Sequence, residues 1–355
     1  MPLVANSNLP AFTALKEEGE IIIPKDIALH QDIRELHIGL LNLMPDAALA
    51  ATERQFLRLI GDSNEVAQFY VHLFTLDELV RGAEAKTHIA AYYETFDEIR
   101  ESGLDALIIT GANVTRPDLA LEDFWRPLIE VVNWSFDNVT STLFSCLATH
   151  AVMQFHYGQK RRRLPQKRWG VYNHRVLDRT HPLVAGVNTR FDVPHSRFND
   201  IHLDQFAEAK LRVLVASETA GVHLATSPDG FRQVFFQGHP EYDTISLIKE
   251  YKREVMRYAL GESNDYPPVP EHYFSRLIQA VLEEHKEQIG SARLKQTIPP
   301  KFPESLITPT LDNTWHDTAE AILSNWVGKI YQITHTDRRL PFMLGIDPEN
   351  PLNLY

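Results

Sequence analysis

The sequence predicts an α/β protein: a mostly parallel sheet with helices on both faces and peripheral additions at its N- and C-terminal ends. Three observations carry this. Apolar runs such as His37-Ile-Gly-Leu-Leu-Asn-Leu-Met and Leu104-Asp-Ala-Leu-Ile-Ile-Thr-Gly-Ala lack the polar alternation of a half-exposed strand, which suits strands buried on both faces. Stretches with apolar residues at helical spacing lie between such runs. The alternation of the two is the βαβ pattern of a parallel sheet.

Residues 1–36 read as an N-terminal arm with one extended piece, Glu20-Ile-Ile-Ile-Pro. The α/β domain is assigned to 37–263. Its first strand starts at His37, and a helix follows with apolar residues at Leu49, Phe56, Leu57 and Ile60, closed by Gly61. A strand around 66–74 comes next, with Val66 at its start. Then come a strand from Leu104 into the turn at Gly111, a helix over 122–136, a strand over 141–145 and a helix from Leu147. In the second half, 168–177, 212–217, 221–226 and 231–237 read as strands, the last two paired as a hairpin about Ser227-Pro-Asp-Gly. A helix over about 244–260 closes at Gly261. Residues 264–312 read as a Pro-containing insertion with one helix, about 275–289, since Ile298-Pro-Pro-Lys-Phe-Pro cannot be helical. Residues 313–355 supply a last helix, about 317–330, and a tail packed on the domain.

Composition excludes several function classes. A formal net charge of −12 over 355 residues disfavours nucleic-acid binding, which depends on neutralising phosphates. No apolar run approaches the roughly 18 residues of a membrane helix. The start, Met1-Pro-Leu-Val-Ala-Asn, lacks the basic-then-apolar pattern of a secretory signal, and one cysteine allows no intrachain disulfide. A cytoplasmic, reducing location is therefore expected. The histidines show no metal-ligand spacing, so no metal is expected.

The single cysteine, Cys146, falls where a strand gives way to a helix. There a side chain stands clear of the sheet, and the unpaired N–H groups of the helix start favour a thiolate. A free cysteine is also often just a small buried hydrophobe. A second polar element tips the balance: Gly238-His-Pro-Glu follows the apolar Val234-Phe-Phe, which places His239 at a strand's C-terminal end, where α/β folds hold their ligands. Glu241, two residues on, can accept a hydrogen bond from the imidazole. Cys146, His239 and Glu241 thus read as nucleophile, base and orienter. An oxyanion needs donors; the N–H of Leu147 is one, and the Gly111-Ala112-Asn113 turn offers that of Ala112. Plain turn chemistry explains Gly111 equally well.

The strand-end Cys146 and the downstream His-Pro-Glu resemble the class I glutamine amidotransferase superfamily, with its flavodoxin-like sheet. More closely, the chain resembles the homoserine O-acyltransferases of methionine biosynthesis, usually called homoserine O-succinyltransferases. The matching segments are Leu41-Asn-Leu-Met-Pro, Gln55-Phe-Leu-Arg-Leu-Ile, Ile108-Ile-Thr-Gly-Ala, Val139-Thr-Ser-Thr-Leu-Phe-Ser-Cys, Gly170-Val-Tyr, Pro194-His-Ser-Arg, Gly238-His-Pro-Glu-Tyr-Asp, Asn325-Trp and Tyr331-Gln-Ile-Thr. They run through 9–263 and resume over 313–340. The resemblance implies acyl transfer from acyl-coenzyme A, a co-substrate with no other cofactor bound, to the hydroxyl of L-homoserine. Cys146 would carry the acyl group as a thioester, with His239 as base and Glu241 holding it. It also implies substrate contacts at Lys167, Ser196 and Arg253, acyl specificity at Thr115, small-molecule partners only and a homodimer.

By spacing alone, Arg253 is an exposed helical residue that pairs with Glu250 and Glu254. The basic run 160–168 reads as a solvated loop, or as a guide for the phosphates of coenzyme A. His195 and Arg197, beside Ser196, read as shaping their loop, and His150 as a packed or exposed helix residue. Three departures from the family stand out. Asp46-Ala47 replaces a usual lysine pair. Thr115 stands where Glu or Gly is common; it cannot repel a succinyl carboxylate and its hydroxyl can donate to one, which leans toward succinyl over acetyl. Residues 264–312 have no counterpart. L-Serine, one methylene shorter than homoserine, is an alternative acceptor, as in cysteine biosynthesis. A glutaminase-type cysteine hydrolase is a rival, although Phe144 and Ala148 stand where such enzymes have glycines near the nucleophile. A non-catalytic binding protein on the same scaffold is another.

Overall fold

The structure, a computed structural model, describes residues 3–64 and 67–355. Its strands are β1 (Leu3–Ala5), β2 (Ile22–Pro24), β3 (Glu35–Leu41), β4 (Gln68–Phe74), β5 (Ala106–Ile109) and β6 (Ser141–Ser145), then β7 (Arg162–Val176), β8 (Arg190–Asp200), β9 (Arg212–Ser217), β10 (Gly221–Thr226) and β11 (Gln233–Phe236). They form one sheet in the order β2-β1-β4-β3-β5-β6-β11-β10-β9-β7-β8. From β2 across to β11 every neighbour is parallel. From β11 out to β8 every neighbour is antiparallel.

The central strands β5, β6 and β11 are buried at every residue, which is why their sequences are unbroken by exposed polar positions. One face is covered by helices Asp46–Asp62 and His316–Ile333, which bury Phe56, Leu57 and Ile60 and Ile322, Trp326 and Ile330 in one cluster. The other face is covered by helices Trp125–Asn138 and Leu147–Tyr157, through Leu128, Val131, Val152 and Met153. The C-terminal helix is tied into the core by polar bonds as well. Trp326 donates its indole N–H to Ser141 Oγ at 2.8 Å, and Ser141 donates on to the Phe231 carbonyl at 2.5 Å.

A third cluster explains the insertion. Helix Arg276–Lys295, capped by Ser275, packs Ile278 and Leu282 against Tyr251 of helix Ser246–Ala259 and against Trp169 of β7. At its start the insertion backbone pairs with β7: Glu271 N–H donates to Trp169 O at 2.8 Å, and Val171 N–H to Glu271 O at 2.9 Å. That approach needs Gly170, at φ +151°, because a Cβ there would lie 2.2 Å from Glu271 O.

Several elements differ from the sequence expectation. The N-terminal arm joins the sheet, adding β1 and β2 at its edge. The basic run is not a loop but the start of β7, six residues before the expected strand. β8 was unforeseen; it holds Pro194 in its middle and accommodates it by lying at the sheet edge. The strand after the first helix is described from Gln68; Val66 lies outside the described residues. The insertion helix runs on to Lys295.

Candidate active site

β5, β6 and β11 are parallel neighbours, so the chain leaves all three on the same edge. Ser145 and Phe236, the last residues of β6 and β11, pair in register. The next residue on β6 is Cys146, and three residues past Phe236 is His239. Cys146 has φ 51° and ψ −104°, a conformation L-residues rarely hold. It is enforced from both sides. Its N–H donates to Phe236 O at 2.7 Å, and Thr149, one turn into the following helix, donates its hydroxyl to Phe144 O and Phe236 O. Leu147 is the first helical residue, so its N–H has no partner within the helix. The Gly111 turn lies alongside: a Cβ on Gly111 would be 3.7 Å from Cys146 Cβ.

His239 is buried, and its N–H donates to Pro194 O at 2.8 Å. Nδ1 lies 2.8 Å from Glu241 Oε1, and the Tyr242 ring stacks on the imidazole with centroids 4.4 Å apart. With Nδ1 held by a carboxylate, Nε2 is the nitrogen left for the Cys146 side chain. Burial alone pulls the imidazole pKa down. The charges of Cys146 and Glu241, with the hydrogen bonds to both, outweigh that and push it up to about 10.

A second polar cluster faces the triad. Glu250 accepts hydrogen bonds from Ser196 Oγ at 2.7 Å and Tyr242 Oη at 2.8 Å, and pairs with Lys167 Nζ at 3.2 Å. Burial raises the Glu250 pKa, but Lys167 and the two hydroxyls bring it below the ordinary value. Lys167 is itself pulled down by burial against the opposing pull of Glu250, and its Nζ sits 3.8 Å over the Trp169 ring. Arg253, one turn beyond Glu250, is more exposed, with Nε 3.5 Å from Glu254. Lys167, Ser196 and Arg253 therefore meet on one wall, with Glu250 between them. The sequence reading had Glu250 only as a partner for Arg253 and overlooked Tyr242. The available signals were Glu250's i, i+3 spacing to Arg253 and Tyr242's place directly after His-Pro-Glu.

Both clusters open into one cavity of about 1760 Å³, lined by Cys146, His239, Lys167, Ser196, Arg253 and Thr115 among others. Single small-molecule sites span roughly 300–1,000 Å³, so there is room for more than an amino acid. Asp46, in place of a family lysine, accepts from the Gly82 N–H at 2.7 Å and pairs with Arg81 at 3.3 Å, while Ala47 and Ala48 line the cavity. Thr115 is exposed; Glu122 accepts its N–H at 2.7 Å and lies 3.5 Å from its hydroxyl. His195 and Arg197 are buried and brace β8. His195 Nε2 lies 3.1 Å from His174 Nε2, and Arg197 pairs with Asp200 at 3.0 Å. His150 is a packed residue: its Nε2 lies 3.1 Å from Gln237, and burial, then Arg197, pull its pKa down to about 4. Among the described residues no cluster of histidine, cysteine or carboxylate side chains is placed to hold a metal ion, and no helix is long and apolar enough to cross a membrane.

An α/β sheet that presents a thiol, an imidazole and a carboxylate in series at adjacent strand ends defines a class: proteins equipped for acyl chemistry on a cysteine. Comparison narrows the class. The family model described as homoserine O-succinyltransferase matches residues 2–336. The chain is 70% identical over 354 residues to homoserine O-succinyltransferase of Allochromatium vinosum, covering 100% of this chain and 99% of that protein. It is 67% identical over 354 residues to that of Nitrosococcus oceani, again with 100% and 99% covered. The chain belongs to the homoserine O-succinyltransferase family, and it is an acyltransferase of methionine biosynthesis. A solved glutamine amidotransferase of Thermotoga maritima aligns with TM-score 0.44 and 12% identity, over 84% of this chain and 98% of that one, a likeness too distant to bear on chemistry. Neither the glutaminase reading nor the non-catalytic one is favoured.

Proposed function

We propose that this acyltransferase moves a succinyl group from succinyl-coenzyme A to the hydroxyl of L-homoserine through a thioester on Cys146. The carrying observation is the Cys146–His239–Glu241 series, with Glu241 on His239 Nδ1 and both partners pushing the imidazole pKa up. In the first half-reaction the Cys146 thiolate attacks the thioester carbonyl. The new S–C bond forms, the bond to coenzyme A breaks, and the departing thiolate takes the proton from His239. The N–H groups of Leu147 and Ala112 are assigned to the oxyanion.

Acylation then changes the base. A thioester carries no charge, so the largest influence raising the His239 pKa disappears while burial continues to pull it down. The imidazole becomes neutral as the acyl-enzyme forms. It can then accept the proton of the acceptor hydroxyl as that oxygen attacks, and Cys146 leaves as a thiolate that restores the pair. Glu241 fixes the ring in both halves. A well-placed base of this kind contributes about 10²–10⁴-fold in rate.

Arg253 and Glu250, one helical turn apart, offer opposite charges for the two ionic groups of an amino acid, and Arg253's fork suits its carboxylate. Lys167 and Ser196 hold Glu250 in place. The rest of the cavity takes the coenzyme A arm. The reading includes a cytoplasmic homodimer with no bound cofactor.

The test is trapping followed by acceptor competition. Incubation with succinyl- or acetyl-coenzyme A, acid quench and intact mass should show one acyl group on the wild type and none on Cys146→Ala. Coenzyme A release should then run faster with homoserine than with serine, by roughly the 10–200-fold that one methylene allows. No adduct with either donor would defeat the reading. A serine preference would move it to the alternative acceptor.

A further inference from the structure

The acyl group needs its own recognition, and Arg161 in the cavity wall has an unmet hydrogen bond. Arg161 opens into the same cavity as Cys146 and Thr115. Its Nη2 donates to the carbonyls of Arg116 at 2.9 Å and Pro117 at 3.4 Å, which fixes the guanidinium against the loop that carries Thr115. Its Nε is buried and has no hydrogen-bond partner among the described residues. A buried charged donor left without an acceptor is costly, so such a group commonly marks a place for a ligand atom. Arg161 also makes no ion pair among the described residues. The carboxylates that act on it electrostatically are engaged elsewhere, Glu122 with the N–H groups of Thr115 and Arg116 and Asp118 with Lys160. Its remaining charged neighbour is Arg163, and Cys146 lines the same cavity.

We propose that Arg161 binds the terminal carboxylate of a four-carbon diacid acyl group carried on Cys146, and so selects succinyl over acetyl. This rests on the acyl-enzyme reading above. A carboxylate gives the Arg161 guanidinium the ion-pair partner it lacks, and a guanidinium already pinned by two carbonyls loses little freedom in binding it. Thr115 is less suited to that task. Its N–H is given to Glu122, and its hydroxyl faces the same carboxylate. Lys167 is committed to Glu250, and Arg253 is assigned to the acceptor. An acetyl group carries no carboxylate for Arg161 to bind, so the interaction discriminates between the donors by a whole charge-assisted hydrogen bond.

The test compares the rate of Cys146 acylation by succinyl- and acetyl-coenzyme A, read by intact mass, in wild type, R161Q and R161K. R161Q should lose on the order of 10- to 100-fold with succinyl-coenzyme A and only about twofold with acetyl-coenzyme A. R161K, which keeps the charge, should recover part of the succinyl rate. Equal losses with both donors would overturn the proposal, because they would mean that Arg161 only clamps the Arg116–Pro117 loop or binds the phosphates common to both. An unchanged succinyl rate would overturn it too. If the wild type takes up neither acyl group, the acyl-enzyme reading fails first and this proposal with it. If the wild type is acylated and R161Q keeps the wild-type donor preference, this proposal alone falls.

Discussion

Ser145 and Phe236 are in-register partners at the ends of neighbouring parallel strands, and this pairing delivers Cys146 and His239 to the same place. The bond from Cys146 N–H to Phe236 O locks the two strand ends together at the nucleophile itself. The chemistry is thus set by sheet register, and substitutions in the triad should change reactivity far more than folding.

The His239 proton should report on Cys146. In the wild type the ring should hold its proton up to about pH 10. In Cys146→Ala the leading influence raising it is gone and burial remains, so the ring should titrate well below that. Histidine NMR across pH 5–10 measures this directly. The linkage has a definite sign. Because the folded pKa lies above the unfolded value of about 6.5, this proton's stabilisation is complete below that pH and fades as pH rises through about 10. Cys146→Ala should flatten that part of the stability profile; an unchanged profile would contradict the coupling.

Glu241→Gln keeps the shape of the side chain and removes its charge. The amide can still accept from Nδ1, but it no longer supports the imidazolium. The expected result is a loss of about 10²–10³-fold in kcat with a melting temperature close to wild type. A loss below about threefold would mean that Glu241 does not orient the base.

Glu250→Ala strips Lys167, Ser196 and Tyr242 of their shared acceptor. The buried Lys167 charge is left uncompensated, at a cost of about 1–3 kcal/mol in urea unfolding. The acceptor half-reaction should weaken through a higher KM for homoserine, while acylation of Cys146 continues at nearly the wild-type rate. Equal damage to both half-reactions would place Glu250 outside the acceptor site.

Gly170→Ala tests the wall built by the insertion. A methyl group there meets Glu271 O at 2.2 Å on a backbone that L side chains avoid. The strand-to-insertion pairing should yield, costing about 1–3 kcal/mol from overpacking. Because 265–269 and Glu271 line the cavity, KM should rise along with the loss of stability. A destabilised variant with unaltered kinetics would separate the insertion from the site.

The parts legible in sequence share a physical cause. β5, β6 and β11 are buried on both faces, so unbroken apolar runs betrayed them, and the strand ends then pointed to Cys146 and His239. β9 and β10 were visible from their β-branched runs between turn residues. Edge elements were not legible, because one side of an edge strand pairs with nothing. β2, at one edge, hid inside the arm with its three-residue neighbour β1, and β8, at the other edge, was masked by Pro194 and its polar residues. The Glu250 cluster was invisible for another reason. Lys167 and Ser196 lie 83 and 54 residues from Glu250, and no local pattern announces a contact of that range. Arg161 looked like one member of a solvated basic run. Only the hairpin of β7 and β8 turns it toward the Arg116–Pro117 loop.

The most direct test of the central claim is rapid-quench intact mass of the wild-type chain mixed with succinyl-coenzyme A, before and after adding homoserine. The account predicts a mass increase of one succinyl group, located at Cys146 by peptide mapping, that forms without acceptor and disappears within one turnover when homoserine arrives. An unmodified chain that still releases coenzyme A in homoserine's presence would contradict it, since transfer would then proceed directly between the two substrates.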